Sequence, residues 1–345
     1  MTKGCFVLGA SRCGSTMLSQ MLRTHPAILS LSELITNQAT AGLLPGPVSG
    51  PDFWARLSTP GRLQRKLANP DAAPDEFLYH CVPSRRFYTH ACPPILAVTL
   101  PHLFDDPDSV FDQLERHFAT RPVRPLADHY HALFQWLAAR TGRGFWVERS
   151  GGSLVAAQTL TQEFPEARFV VLLRDGRDVA LSMQRYLPAR MAIWFWRNAR
   201  LLGLDVLSPD GHIGRARWID LAARLGGRTL RIDRILARQP SLRDCAAFWS
   251  ALTRHGLAAV RQIDPERRLI LHYDDLVRDP SAVLTRLTGF LDQGAAPDWL
   301  TQAAQIPRLV RPRRLDLPAS TQRALADWTA GAEAMQQDLL SQQGS

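Results

Sequence analysis

The sequence holds almost no lysine. Of its 41 basic residues only Lys3 and Lys66 are lysine, and the rest are arginine. Its five cysteines, Cys5, Cys13, Cys81, Cys92 and Cys245, are odd in number and scattered, with no CxxC pair. That spacing supports neither a zinc site nor a disulfide framework, so reduced thiols of a cytosolic enzyme are expected. No stretch reaches the ~18 consecutive apolar residues that a membrane span requires. The N-terminus lacks the apolar centre of a signal peptide, because Cys5-Phe6-Val7-Leu8 is too short a run. The expectation is a chain that begins directly with a strand and stays in the cytoplasm. Internal repeats and low-complexity tracts are also missing. So is any basic run interleaved with aromatics, which argues against nucleic acid as a partner despite a net charge of +9. Arginines dispersed among acids suit a small anionic ligand instead, since the guanidinium fork pairs with phosphate and sulfate through two bonds at once.

What is present is a chain of 345 residues, 46% hydrophobic and 21% charged. That is enough for one large α/β domain or two small ones. Four short apolar runs read as buried strands: Cys5–Gly9, Phe145–Glu148, Arg168–Leu173 and Leu269–Tyr273. Three of them lead into helical patterns. Thr16–Leu22 places Met17, Leu18, Met21 and Leu22 on one face, and Asp178–Gln184 follows the third strand. Ser281–Leu291 groups Val283, Leu284, Leu287, Phe290 and Leu291, with Ser281 as the expected helix start after Pro280. Repeated strand–turn–helix units predict a parallel sheet flanked by helices, with ligand-binding loops along one edge. Residues 42–75 and 101–125, rich in Pro, Gly and Asp, and the Arg- and Gly-rich residues 203–240, with a possible helix at 214–225, are expected to be insertions or lids over that edge. The chain is read as one domain, 1–345, with core segments 4–34, 144–185 and 268–292 and insertions at about 42–125 and 203–240.

Two motifs carry the chemistry. Residues 9–16 set Gly9 and Gly14 with four residues between them, followed by Ser15 and Thr16, between a strand and a helix. This is the spacing of a Walker A loop. The backbone N–H groups of Cys13 to Met17 would face one anion, assisted by the helix dipole. The lysine position holds Ser15, however, and the loop's cation is Arg12. Such a loop fits one phosphate-like group better than a triphosphate with Mg²⁺. Taken alone, it competes with an ordinary turn carrying incidental glycines. The second motif is a buried strand that ends at Arg174, passes a tight Asp-Gly turn and enters a helix bearing Ser182. A cation at a strand end and a hydroxyl two turns into the next helix can converge on one anion, although a surface charge cluster would read the same way.

Together the segments resemble the sulfotransferase superfamily that uses 3′-phosphoadenosine 5′-phosphosulfate (PAPS). Arg12-Cys13-Gly14-Ser15-Thr16 with His25-Pro26 matches the first signature, R-[SC]-G-[ST]-T and a later His-Pro. Arg174 through Ser182 matches the second, R-D-x-R-D-x-x-x-S. Leu271-His272-Tyr273-Asp274-Asp275-Leu276, Asp279-Pro280 and Phe290-Leu291 look like the family's Y-E-x-L…P…FL segment, and Trp146 to Ser150 like its strand ending in [KR]-[ST]. The likeness is closer to bacterial and tyrosylprotein-type members than to the steroid and phenol enzymes, which carry lysine in the first loop and use a histidine base.

The resemblance implies a P-loop-like fold and several roles. Arg12, Cys13, Gly14, Ser15 and Thr16 would hold the 5′-phosphosulfate, and Arg174 and Ser182 the 3′-phosphate. Tyr273 would touch the nucleotide, and a basic segment around Leu309 to Arg314 would cover it, with Arg311 as the choice. Glu33 matches the glutamate base of the tyrosylprotein-like branch. Arg149 stands where the family often has lysine; as a permanent cation it would act by electrostatics, not as a proton donor. The usual proline after [KR]-[ST] is Gly151 here, and Arg185 and Arg190 compete for the basic position beyond Ser182. Adenosine 3′,5′-bisphosphate (PAP) would be the product, no metal would be needed, and the acceptor would be a hydroxyl on a small molecule, peptide or glycan. The rivals are a small-molecule kinase and a homologue that only binds a nucleotide or an anionic glycan. His80, His90, His129 and His131 are read as packed or surface residues. Trp194, Trp196, Phe87 and Tyr88 are read as core, and Arg215 and Arg217 as solvated. Oligomeric state stays open.

Overall fold

The computed structural model describes residues 3–35, 42–43, 46–73, 76–208, 231–309 and 311–343. The possible helix at 214–225 lies outside the described residues, as do Arg215, Arg217 and Val310. Seven strands are described: β1 (Gly4–Gly9), β2 (Ile28–Ser32), β3 (Pro47–Val48), β4 (Arg124–Pro125), β5 (Phe145–Arg149), β6 (Arg168–Leu173) and β7 (Arg268–His272). Five of them form one parallel sheet in the order β2-β5-β1-β6-β7. β3 and β4 make a separate antiparallel pair.

The near-continuous apolar strands follow from burial on both faces. Successive side chains point to opposite sides. Phe6, Leu8, Trp146, Phe169, Val171 and Leu173 enter one core, while Cys5, Val7, Val147, Val170 and Leu172 enter the other. Each large apolar side chain so buried contributes about 1.5–3 kcal/mol. The helix Ser15–Arg23 buries Leu18, Met21 and Leu22 in the second core. The helices Gly176–Arg185 and Leu242–Val260 cover the first, through Val179, Met183, Trp249 and Leu252.

Some boundaries differ from expectation for local reasons. The last strand stops at His272, because Tyr273 opens the helix Tyr273–Arg278, which His272 caps by accepting from the Asp274 N–H at 3.3 Å. The helix Pro280–Phe290 starts with Pro280 at its first position, not at Ser281. Asp279 is the cap and accepts from the Ala282 N–H at 3.0 Å. The expected Asp-Gly turn is likewise a helix cap, with Asp175 accepting from the Arg177 N–H at 2.9 Å. β2 was not anticipated, because Ser30 and Ser32 interrupt its apolar run. Both serines are buried, and Ser30 Oγ donates to the Ser19 carbonyl at 3.1 Å, so the strand carries hydroxyls without an unpaired polar group there. The 42–125 insertion is also more than a lid: Phe53, Trp54, Leu57, Leu114 and Phe118 belong to the first core. Parallel strands bring five chain segments out on one sheet edge, after Gly9, Ser32, Arg149, Leu173 and His272.

Candidate active site

The loop after β1 departs from ordinary backbone geometry at three residues. Ser11 (φ 65°), Arg12 (φ 53°) and Gly14 (φ 93°) are all left-handed. For a residue with a Cβ this costs roughly 1–2 kcal/mol, so surrounding contacts must hold it. Gly14 caps the helix Ser15–Arg23 without any side-chain hydrogen bond, and a Cβ there would lie 2.3 Å from the Tyr273 ring. The first N–H groups of that helix therefore form a positive helix end with no side-chain cap. Cys13 anchors the loop in the second core, and burial pushes its thiol up, so it is a neutral packing group. Buried Ser15 stands where a Walker loop would have lysine, with Thr16 beside it.

Arg174, at the end of β6, joins this loop to the second motif. Its Nη1 donates to the Arg12 carbonyl at 2.9 Å, and its guanidinium lies 4.1 Å from the centre of the Tyr273 ring. Arg12 Nε donates to Ser182 Oγ at 3.1 Å. Gly14, Tyr273, Arg174, Arg12 and Ser182 thus form one contiguous chain of contacts between the ends of β1, β6 and β7.

Glu33 follows β2 and is also left-handed, at φ 55°. Its backbone N–H donates to the Arg149 carbonyl at 2.7 Å. Its buried carboxylate is ion-paired with Arg149 Nη1, and the Gly151 N–H reaches both carboxylate oxygens, at 3.1 and 3.0 Å. Arg149 Nη2 donates to Ser32 Oγ at 2.5 Å. Beneath this pair Glu148 is fully buried. Its Oε1 accepts from Ser150 Oγ at 2.6 Å and from the Ile35 N–H at 3.4 Å. Burial pushes Glu148 up to about 7. Among the described residues, Glu148 Oε2 and Arg149 Nε have no hydrogen-bond partner.

Two residues of the site carry no sequence signal that singled them out. Glu76, in the 42–125 insertion, pairs with Arg12 Nη1 at 2.8 Å and accepts from the Tyr186 hydroxyl at 2.6 Å. Arg12 also lies 4.6 Å from the centre of the Tyr186 ring. Burial raises the Glu76 carboxyl above its ordinary range, and the charge of Glu33 adds to this. Tyr186 lies four residues beyond Ser182, a helical spacing that could have pointed to it. Glu76 sits in a stretch without periodicity and offered no such pointer.

Arg12, Glu33, Glu76, Arg174, Tyr186 and Tyr273 line one cavity of about 510 Å³. A larger cleft of about 660 Å³ beside the helix Leu187–Leu201, bordered by Arg197, Arg231, Arg234 and Arg238, contains none of the strand-end residues. The cavity joins fixed cations, a helix N-terminus and two carboxylates, the parts needed to hold an anionic group beside a base. Among the described residues, no group of three or more His, Cys, Asp or Glu side chains is arranged to hold a metal ion.

The sulfotransferase family model matches residues 5–203. The chain belongs to the sulfotransferase family. No curated protein matches its sequence. Among solved structures, it is similar to the sulfotransferase domain of the Synechococcus PCC 7002 olefin synthase, with 16% identity, 98% of this chain and 94% of that one covered, and a TM-score of 0.47. A sulfotransferase from Mycobacterium tuberculosis H37Rv is 16% identical, with 96% and 77% covered and a TM-score of 0.43. Retinol dehydratase, in complex with androsterone and inactive cofactor PAP, is 14% identical, with 95% and 80% covered and a TM-score of 0.36.

Within this sulfotransferase, the glycine at the usual proline position has a physical counterpart. Proline has no N–H, and it is the Gly151 N–H that holds Glu33. Arg311 is not brought to the cavity. It is exposed and pairs with Asp316 at 3.6 Å. Arg314 is the member of that segment which reaches the second motif, pairing with Asp178 and, at 3.4 Å, with Asp175. Arg185 is exposed, while Arg190 donates to the Gln184 and Leu236 carbonyls. His129 is packed, stacked on Phe53 and bonded to the Val48 carbonyl. Trp196 is core and also lines the cavity. Tyr88 was expected in the core but is 72% exposed. No helix among the described residues is long and apolar enough to cross a membrane.

Proposed function

We propose that this sulfotransferase takes the sulfuryl group of PAPS and transfers it in line to an acceptor hydroxyl. The observation that supports this most is the contact between the two motifs: Arg174 donates to the backbone of Arg12, so both cations line the same cavity at the strand ends. In this reading Arg12 and the N–H groups at the start of the helix Ser15–Arg23 hold the 5′-phosphosulfate. Arg174 and Ser182 hold the 3′-phosphate, and Tyr273 packs against the nucleotide. That second anion contact would select PAPS over ATP.

The chemistry asks little of the protein beyond position and charge, as in phosphoryl transfer. A new bond forms between the acceptor oxygen and sulfur while the bond from sulfur to the phosphate oxygen breaks, releasing PAP. The hydroxyl proton goes to the Glu33 carboxylate, which Arg149 and the Gly151 N–H hold in place. Arg149 stays a cation throughout and acts by its field.

Calorimetric titration separates this reading from a kinase. PAP is expected to bind in the micromolar range and Mg-ATP far more weakly. Arg174→Ala should lose about a hundredfold in PAP affinity, on the order of 3 kcal/mol. Mg-ATP binding as tightly as PAP would end the donor assignment.

A further inference from the structure

We infer that the acceptor is a neutral hydroxyl compound with a mostly hydrocarbon body. This deepens the proposed reaction and rests on it for the identity of the transferred group. Among the described residues, the polar part of the cavity wall includes the side chains around the strand ends. There Arg12, Glu33, Glu76, Arg174 and the Tyr186 hydroxyl are engaged with one another or with their supports. The wall also includes the apolar side chains of Leu67, Phe77, Val98, Met183, Phe195 and Leu252. These six come from four helices and from the connections at residues 77 and 98, and Phe77, Val98, Met183 and Leu252 are continuous with the first core. Gln64, a polar side chain on that wall, accepts from the Gly61 N–H through its Oε1 as part of a helix start.

A wall of this kind discriminates by chemistry. A sugar acceptor would carry several hydroxyls onto apolar side chains, and each would lose water without gaining a partner. A peptide would bring its own N–H and C=O groups with the same consequence. An acidic acceptor would also approach the carboxylates of Glu33 and Glu76. A hydrocarbon body avoids all three costs and leaves one hydroxyl at the polar part, where Glu33 lies. The cavity's volume of about 510 Å³ also takes in Arg12, Arg174 and Tyr273, the proposed donor contacts, so the acceptor occupies only the remainder.

The test uses the full chain, with 1-decanol, a tyrosyl peptide flanked by acidic residues, and maltotriose. Binding is followed by tryptophan fluorescence and thermal shift without donor, and transfer by mass spectrometry with PAPS. Decanol alone should bind and raise the melting temperature, and with PAPS it should gain one sulfuryl group while the peptide and the sugar do not. Ala192→Phe, which fills part of the cavity from the helix Leu187–Leu201, should lower kcat/KM for decanol by about tenfold or more and leave PAP affinity unchanged. Decanol binding without PAP binding would uphold the inference and remove the donor reading. PAP binding together with sulfation of the peptide or the sugar, and no decanol binding, would overturn the inference and leave the donor reading standing.

Discussion

The polar part of the cavity divides into a loop end and an inner end, and at the loop end contacts run between Arg12, Gly14, Arg174, Ser182 and Tyr273, residues of three contiguous strand–turn–helix units. At the inner end they join Glu33, Glu76, Arg149, Gly151 and Tyr186, drawn from scattered segments. The loop end relies on backbone N–H groups and guanidinium cations, whose charge does not change across accessible pH. The inner end relies on buried carboxylates: burial raises Glu76, and Glu148, beneath the Glu33–Arg149 pair, is pushed up to about 7. Ligand charge should therefore be read by a part of the molecule that ignores pH, and the chemistry performed by a part that responds to it.

The largest test of that division is Glu33→Gln. If the inner end supplies the base, kcat should fall by about 10²- to 10⁴-fold, while calorimetry finds PAP affinity within about twofold of the parent. Retained PAP binding also shows that the variant folds, which matters because the change leaves buried Arg149 without its counter-ion. Normal turnover would mean that the two ends do not divide the work in this way.

Glu148 sharpens the pH side of the comparison. Its acid form is favoured by folding: the native group keeps its proton up to about 7, whereas the ordinary value is 4.5. Between those values the folded chain binds more protons than the unfolded one, so stability falls as pH rises through the window and levels off above it. The size is on the order of 3 kcal/mol. Urea unfolding between pH 4.5 and 8 should show this decline, and Glu148→Gln, which resembles the protonated acid, should flatten it. An unchanged slope in the variant would assign the effect to another group.

The same division explains what the sequence disclosed. The loop end was legible because its contacts follow from spacing within one turn: two glycines with four residues between them before a helix, or an arginine closing an apolar strand. The parallel sheet was legible for a similar reason, since its strands are short apolar runs. β2 escaped because Ser30 and Ser32 are buried with their hydroxyls occupied, which no periodicity conveys. Glu76 escaped because its role depends on how a 42–125 segment without repeats returns to the sheet edge. Residues 311–314 hold three arginines, and composition cannot choose among them. Only the fold brings Arg314 to Asp175 and Asp178 at the start of the neighbouring helix.

The smallest effect concerns the point where the two ends touch. Arg12 belongs to the anion loop, yet its Nη1 is paired with Glu76. In the proposed reading a ligand phosphate would compete with that carboxylate for the same guanidinium. Glu76→Gln removes the competing charge while keeping a hydrogen-bonding oxygen for Tyr186, and PAP affinity should rise by about threefold, less than 1 kcal/mol for a pair that is only partly buried. In the parent protein the competition should weaken as pH falls and Glu76, already raised by burial, takes up a proton. The affinity advantage of Glu76→Gln over the parent should therefore shrink toward low pH. The ligand's own phosphate titration is common to both proteins and cancels in that ratio. Weaker PAP binding by Glu76→Gln at every pH would show that Glu76 holds Arg12 in position for the anion instead of competing with it, and would move Glu76 from the inner end to the loop end.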